Sequence, residues 1–448
     1  MSGSFDLILA GGELMTPGGR VAADLGVRDG KVAALGDLAQ APAAERLDCR
    51  GLVALPGVVD TQVHFREPGL EHKEDLESGT RAAVLGGVTA IFEMPNTKPS
   101  TLSAADIADK LKRAEGRAWC DHAFFVGAAD ENADRLGALE RLPGVCGVKI
   151  FMGSSTGSLL VEDDALLAEV LRNGHRRVAV HAEDEPRLRQ RMALAREGGP
   201  AQHPVWRDAE TARRATERLL ALARAAGRRV HVLHVTTADE LPLLAAARDI
   251  ATMEVTPQHL TLAAPECYAE LGTLAQMNPP IRDASHRDAL WQAVSDGLVD
   301  VVGSDHAPHT REEKAKPYPN SPSGMPGVQT LLPLLLDHMQ AGRLSLERLV
   351  DLTSAGAQRI YGIAAKGRLA LGYDADVTLV DLGAERRIEE SWLASKCGWS
   401  PFAGRRVKGW PVATVIRGRV VMREGALLGP PAGRPVRFLE TLPCASAT

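Results

Sequence analysis

Cysteine is scarce and never closely paired. The six residues stand at 49, 120, 146, 267, 397 and 444, with no Cys-x-x-Cys motif. That distribution argues for free thiols in a reducing, cytoplasmic setting, and against a disulfide framework or a cysteine-built zinc site. Positive charge is not in excess either. With 52 Lys and Arg against 57 Asp and Glu, the net charge is −5, which offers no footprint for nucleic acid or an anionic membrane. No apolar run approaches the roughly 20 residues that span a bilayer. The opening Met1-Ser-Gly-Ser-Phe-Asp lacks the basic and apolar regions of a signal peptide. A glycine-rich dinucleotide fingerprint is also missing, which weakens an open doubly wound sheet as the architecture. What remains is a globular chain of 448 residues, long enough for one large domain and a smaller one.

Three texture zones follow. Residues 1–54 are short apolar runs cut by Gly and Asp-Gly turns, and residues 366–448 repeat that texture. Two β-rich ends around a different middle predict one small β-sandwich built from both termini, rather than two unrelated appendages. Between 55 and 365, apolar strand-like runs such as Val88–Met94, Val145–Ile150, Val178–His181 and Val299–Gly303 alternate with Ala/Leu/Arg-rich helical stretches such as Asp208–Ala226 and Arg287–Asp296. About eight such repeats predict an α/β fold, a (β/α)8 TIM-like barrel.

Chemistry-bearing residues gather where these strands end. The stretch Asp60-Thr-Gln-Val-His-Phe-Arg-Glu-Pro-Gly69 follows the apolar run Leu52–Val59, which reads as one buried strand, and precedes the charged run Glu71–Glu77, which can open a helix. His64 and Arg66, two apart at a strand end, are expected on the same side. Lys149, His181, His234 and Asp305 each close or follow a further apolar run. Singly, each has an ordinary reading as a hydrogen-bonded, snorkelling or turn-forming residue. Together, at the C-terminal ends of barrel strands, they would converge on one point.

The motifs His64-Phe-Arg-Glu-Pro-Gly69, Glu93-Met-Pro-Asn-Thr97, Val148-Lys-Ile-Phe-Met-Gly153, His181-Ala-Glu, His234-Val-Thr, Asn278-Pro-Pro-Ile-Arg282 and Ser304-Asp-His-Ala-Pro-His309 stand in this order. Their order resembles the amidohydrolase superfamily, within it the cyclic-amidase branch, and most closely the long-chain (class I type) bacterial dihydroorotases. The resemblance spans nearly the whole chain. It implies a zinc-dependent, homo-oligomeric enzyme interconverting dihydroorotate and N-carbamoyl-L-aspartate in pyrimidine biosynthesis. It implies that Lys149, carbamylated by CO2, bridges two zinc ions, that His181 and His234 bind the more buried metal, and that His64 and Asp305 bind the other. Asp305 would also be the general base, returning its proton to the leaving nitrogen. Arg66, Asn96 and His309 would hold the substrate carboxylate, and Asn278 the ring.

Arg66 carries the substrate argument. A guanidinium suits a planar carboxylate, whereas an allantoinase or hydantoinase acting on an uncharged ring has no need of it; a structural ion pair with Glu67 or a neighbour is the alternative. The chain departs from the pattern at Gln62, where the first histidine of His-x-His is usual, and at Gln258. With Gln62 a weaker donor than imidazole, three outcomes stay open: two zinc ions with Gln62 or water filling in, one metal on Lys149, His181 and His234, or a non-catalytic partner of aspartate transcarbamoylase. The charged, then Pro/Asn/Ser-rich segment Thr310–Gly324 reads as a loop, with Ser323 and Gly324 either approaching the bound ring through their backbone or forming a plain surface connection.

Overall fold

The computed structural model describes residues 4–155 and 159–442. Eight parallel strands form the central sheet in sequential order: β1 Val58–Val63, β2 Val88–Glu93, β3 Asp121–Gly127, β4 Val145–Phe151, β5 Val178–His181, β6 Val230–Val232, β7 Ala251–Val255 and β8 Val301–Val302. The sheet closes into a barrel where Val63 bridges His306 and the His64 N–H donates to the His306 carbonyl at 2.7 Å. Helices pack outside. The longest, Ala209–Ala226, starts where the Asp208 side chain accepts from Thr211 N–H and stops at Gly227 in the left-handed region, φ 64°.

Side-chain alternation sorts the strands into two cores. Val58, Ile91, Phe124 and Val180 face the helices, while Val59, Phe92, Phe125 and Ala179 fill the barrel interior beside Tyr361 and Phe438. One glycine changes that parity. Phe124 pairs with Val145 but Phe125 with Gly147, so β4 carries an extra residue at Gly147, φ 155°. The bulge leaves Val148 and Ile150 in the outer core and turns Lys149 inward.

Both termini build the remaining sheets. Phe5–Ala10, Asp24–Arg28, Lys31–Gly36 and Ala43–Asp48 form a four-stranded sheet; Glu13–Thr16, Gly19–Ala22 and Val53–Pro56 join Val377–Arg387, Arg406–Ile416, Arg419–Arg423 and Ala426–Leu427 in a seven-stranded one. Leu7, Leu25 and Val27 share a core with Val377 and Val415, which makes the two ends one β-sandwich. The predicted single strand Leu52–Val59 is in fact divided: Val53–Pro56 pairs with Val377–Val380 in the sandwich, and β1 begins at Val58. Gly57 makes the crossing, for a Cβ there would lie 2.3 Å from Thr89 Oγ1. The charged run Glu71–Glu77 opens a helix only at its end, Leu76–Leu85, capped by Asp75. Where sandwich meets barrel, the buried Lys366 ammonium contacts Asp121, Asp374 and Asp376 together, and Arg417 reaches Asp121 as well. No helix of the described residues is long and apolar enough to cross a membrane.

Candidate active site

A narrow cleft opens at the C-terminal ends of the barrel strands. β1 and the turn after it supply Gln62, His64 and Arg66, and the segment after β2 supplies Asn96. Lys149 and Phe151 come from β4, His181 from β5, His234 from just past β6 and Asp305 from just past β8; Asn278, Ser323 and Gly324 complete the far wall. The structure thus brings these residues to one cleft. Backbone strain helps to make it: Arg66, His234 and Asp305 sit at φ 67°, 37° and 44°, a conformation that costs a side-chain-bearing residue about 1–3 kcal/mol and concentrates at functional sites. Arg66 therefore faces the cleft because the chain has left the strand, not through the alternation expected from its spacing.

The donors come in two pairs. His181 Nδ1 lies 3.1 Å from His234 Nε2, and His64 Nε2 lies 3.2 Å from Asp305 Oδ1. His181 Nε2 is 2.9 Å from Glu183 Oε2, and Arg207 holds that carboxylate with Nε at 3.0 and 3.1 Å. The carboxylate sits beside Nε2 at ion-pair distance, outside hydrogen-bond geometry, and favours the tautomer with its proton on that side. His64 Nδ1 meets Asn96 Oδ1 at 2.7 Å, so its proton is on Nδ1 and its Nε2 lone pair faces Asp305. Burial, above all, lowers the basicity of His64, His181 and His234, keeping each imidazole in the neutral form that binds metal. The His181 and His234 nitrogens are close enough to share one proton in a hydrogen bond or, with neither protonated, one cation.

Lys149 completes the set. Its Nζ is buried without a hydrogen-bond partner, 4.4 Å from the centre of the Phe151 ring, and burial drops its pKa to about 7. Among the described residues no three His, Cys, Asp or Glu side chains group so as to hold a metal. The donor set fits an ion only if Lys149 contributes, which an ammonium does not and an oxygen-bearing derivative of the neutral amine does. Gln62 turns its amide nitrogen, not its carbonyl, to the site: Nε2 donates to Asp305 Oδ1 at 3.0 Å, while Oε1 has no partner. That contact makes Gln62 a clamp on Asp305. Asp305 is held from behind too, since Ser304 N–H donates to Asp60 Oδ1 at 2.9 Å and Gln258 Nε2 donates to the Ser304 carbonyl at 2.7 Å. The role of Gln258, unreadable in the sequence, is thus to tie the helix Pro257–Thr261, just past β7, to the turn that carries Asp305.

Arg66 is 1% exposed. Its Nε donates to the Pro308 carbonyl at 3.2 Å, its NH1 has no partner, and no carboxylate of the described residues forms an ion pair with it. Glu67, the alternative partner, is taken by Arg117 at 2.7 Å. His309 lies behind Arg66 rather than on the cleft wall: its Nε2 donates to the Ser323 carbonyl at 3.0 Å and its Nδ1 faces Lys73 Nζ at 3.1 Å. Both ring nitrogens are engaged, which makes it a support for Arg66 and Ser323. The 310–324 segment is anchored, not a plain surface connection. Thr310 caps the short helix Arg311–Lys314, whose buried Lys314 ammonium binds the carbonyls of Gln276, Pro322 and Gly324 at 2.9, 2.9 and 3.0 Å. Sequence reading missed Lys314, which stands in a segment read only as a charged loop, and Glu183, although the His-Ala-Glu run carried its signal. It also missed His203, which had no local signal at all.

The model of the amidohydrolase family matches residues 53–421. A protein named dihydroorotase from Halobacterium salinarum is 39% identical over 386 residues, covering 86% of this chain and 89% of its own. One named allantoinase from Rubrobacter xylanophilus is 39% identical over 453 aligned positions, covering 97% and 98%. The solved structure of L-hydantoinase from Arthrobacter aurescens superposes with a TM-score of 0.91 at 31% identity, covering 96% and 99% of the two chains.

Proposed function

The chain belongs to the amidohydrolase family, in its cyclic-amidase branch, and from that premise we propose that it is a zinc-dependent dihydroorotase, interconverting dihydroorotate and N-carbamoyl-L-aspartate. One observation carries the choice of substrate: Arg66 is a buried guanidinium on the cleft wall with no carboxylate of its own. An uncompensated buried cation is costly, and a ring carboxylate would satisfy it with paired hydrogen bonds. Turnover of dihydroorotate, allantoin and dihydrouracil should favour dihydroorotate, with Arg66→Met losing about 2–5 kcal/mol of transition-state binding for that substrate. Wild-type turnover of allantoin or dihydrouracil but not of dihydroorotate would discard this reading. The near-complete match to an allantoinase keeps a neutral ureide ring as the second reading, and the same panel decides it. Convergence of Lys149, His181, His234 and Asp305 on one cleft supports catalysis over a purely structural role in an assembly.

The residues divide the work as follows. His181 and His234 would hold one zinc ion and His64 with Asp305 the second, and Lys149, as a carbamate, would add an anionic oxygen ligand. When bound, zinc supplies Lewis-acid activation of water and of the amide carbonyl. Arg66 orients the ring by its carboxylate, and Asn278 fixes its far side. Asp305 takes a proton from the attacking water; as the new C–O bond forms and the ring C–N bond breaks, it delivers that proton to the departing nitrogen. Cyclisation runs the same sequence in reverse. Gln62 keeps the Asp305 carboxylate turned to the reacting atoms, and Glu183 with Arg207 keeps His181 in its metal-binding tautomer. Lys149 reaches its carbamate by attack of the neutral amine on CO2 with loss of one proton, a step the lowered basicity favours. Protein equilibrated with 13C-labelled bicarbonate and zinc should show a carbamate carbon by 13C NMR that Lys149→Ala lacks. A spectrum without that signal in zinc-loaded wild type would remove the modification from the scheme. The five described cysteines are all free and buried, which suits the reducing cytosol where such an enzyme would work.

A further inference from the structure

We propose that His203 is a positioning residue that sets which face of the Asn278 amide the substrate meets, so that the cleft presents N–H donors to a ring carbonyl at that point. The inference rests on the cyclic-amidase reading and deepens it. His203 belongs to the short helix His203–Trp206, far in sequence from Asn278, and is fully buried. Its Nε2 lies 3.0 Å from the Met277 carbonyl oxygen and 2.9 Å from Asn278 Oδ1; its Nδ1 lies 3.4 Å from the Tyr318 hydroxyl.

These contacts decide both the tautomer and the amide orientation. A backbone carbonyl only accepts, so Nε2 must carry the proton. With Nε2–H donating, the Asn278 atom beside it must be the acceptor Oδ1; an NH2 there would set donor against donor. The ring is neutral, so Nδ1 is the acceptor for the Tyr318 O–H. Burial, above all, holds the ring far below its usual protonation range, at about 3, consistent with this assignment. Trp206 and Tyr318 pack edge-on against the ring at 5.9 and 5.8 Å between centroids, which leaves the imidazole little freedom to turn. Asn278 lines the cleft. With Oδ1 committed to His203, the part of the amide available to a ligand is Nδ2, two donors and no acceptor. A ring carbonyl is complementary to that; a ring N–H is not.

The test is a mutant cycle on whichever of dihydroorotate, allantoin and dihydrouracil the wild type hydrolyses. His203→Phe should raise KM about tenfold with kcat changed less than about threefold, the pattern of lost uniform binding. His203→Gln, which keeps an N–H donor, should stay within about threefold of wild type. Asn278→Ala should raise KM similarly alone, but by less than about twofold in the His203→Phe background, because the two residues act as one unit. Asn278→Asp gives a readout that does not depend on folding of the histidine variants: it replaces the NH2 by an oxygen and adds a negative charge, leaves His203 an acceptor, and should raise KM at least about tenfold. Wild-type affinity in Asn278→Asp would overturn the inference, as would independent effects of His203→Phe and Asn278→Ala, or His203→Gln as damaging as His203→Phe. A wild type inactive on all three rings sinks the cyclic-amidase reading and the inference with it. An active wild type with any of the contrary variant results sinks the inference alone.

Discussion

Asp305→Asn should lower kcat by about 10²–10⁴-fold while leaving the fold intact, the range expected when a positioned general acid–base group loses its proton-carrying oxygen. The change is isosteric. The scaffold around it does not depend on the charge: Gln62 Nε2 can still donate to an amide oxygen, and the turn is held through its neighbour Ser304 by Asp60 and Gln258. What disappears is the only carboxylate among the described residues of the cleft wall. Because the same oxygen faces His64 Nε2, zinc content has to be measured beside kcat. Retained metal with lost turnover would assign the loss to proton transfer. Parallel loss of one metal equivalent would assign part of it to coordination. A kcat within about tenfold of wild type would be too small for a general base and would leave Asp305 without that role.

The second large effect is on stability. Lys366→Met should cost about 3–5 kcal/mol at neutral pH, because removing one partner of a buried ionic cluster strands the others. The ammonium contacts three carboxylates, and all four groups are buried. Arg417 still reaches Asp121, and Lys31 still reaches Asp374; Asp376 is left with a backbone N–H from Arg417. The pH dependence has a definite sign. Burial alone would push the Asp121 carboxyl up, but Lys366 and Arg417 outweigh it and hold the group below its usual range. A depressed folded value means that the stabilisation is present above the unfolded carboxylate pKa and fades as pH falls through the folded one. Lys366→Met lifts that depression, so its penalty should be largest at pH 7 and shrink near pH 4. Urea unfolding of both proteins at the two pH values measures it. A loss under about 1 kcal/mol at neutral pH would class the cluster with weak surface pairs, and a loss independent of pH would assign it to packing.

Much of the barrel was legible because its strands are buried on both faces and read as continuous Val, Ile and Phe runs. The same property hid the division at Gly57, since an apolar run does not say which of two sheets it enters. Strand ends advertised His64, Lys149, His181, His234 and Asp305. That Lys149 points inward depends on the bulge at Gly147, which no periodicity count reveals. Arg66 was expected on the same side as His64, and both line one cleft, through a left-handed turn rather than strand pleating. The supports were the least legible. His203 and Lys314 act on backbone carbonyls and on Asn278, and a carbonyl leaves no trace in sequence. Their partners are set by how distant loops meet.

Strand Val377–Arg387 lies against Val53–Pro56, its partner from more than three hundred residues earlier. On the ribosome, at roughly 5–20 residues per second, the early strand waits on the order of tens of seconds for its mate. During that interval the strands of Leu7, Leu25 and Val27 can pair with one another but have no Val377 and Val415 to pack against, and the edge of Val53–Pro56 that Val377–Val380 will cover stands open to other nascent chains. Vectorial synthesis thus completes the first part of this protein last, and a chaperone that shields the emerging N-terminal strands should raise the yield of native enzyme more than one that acts after release.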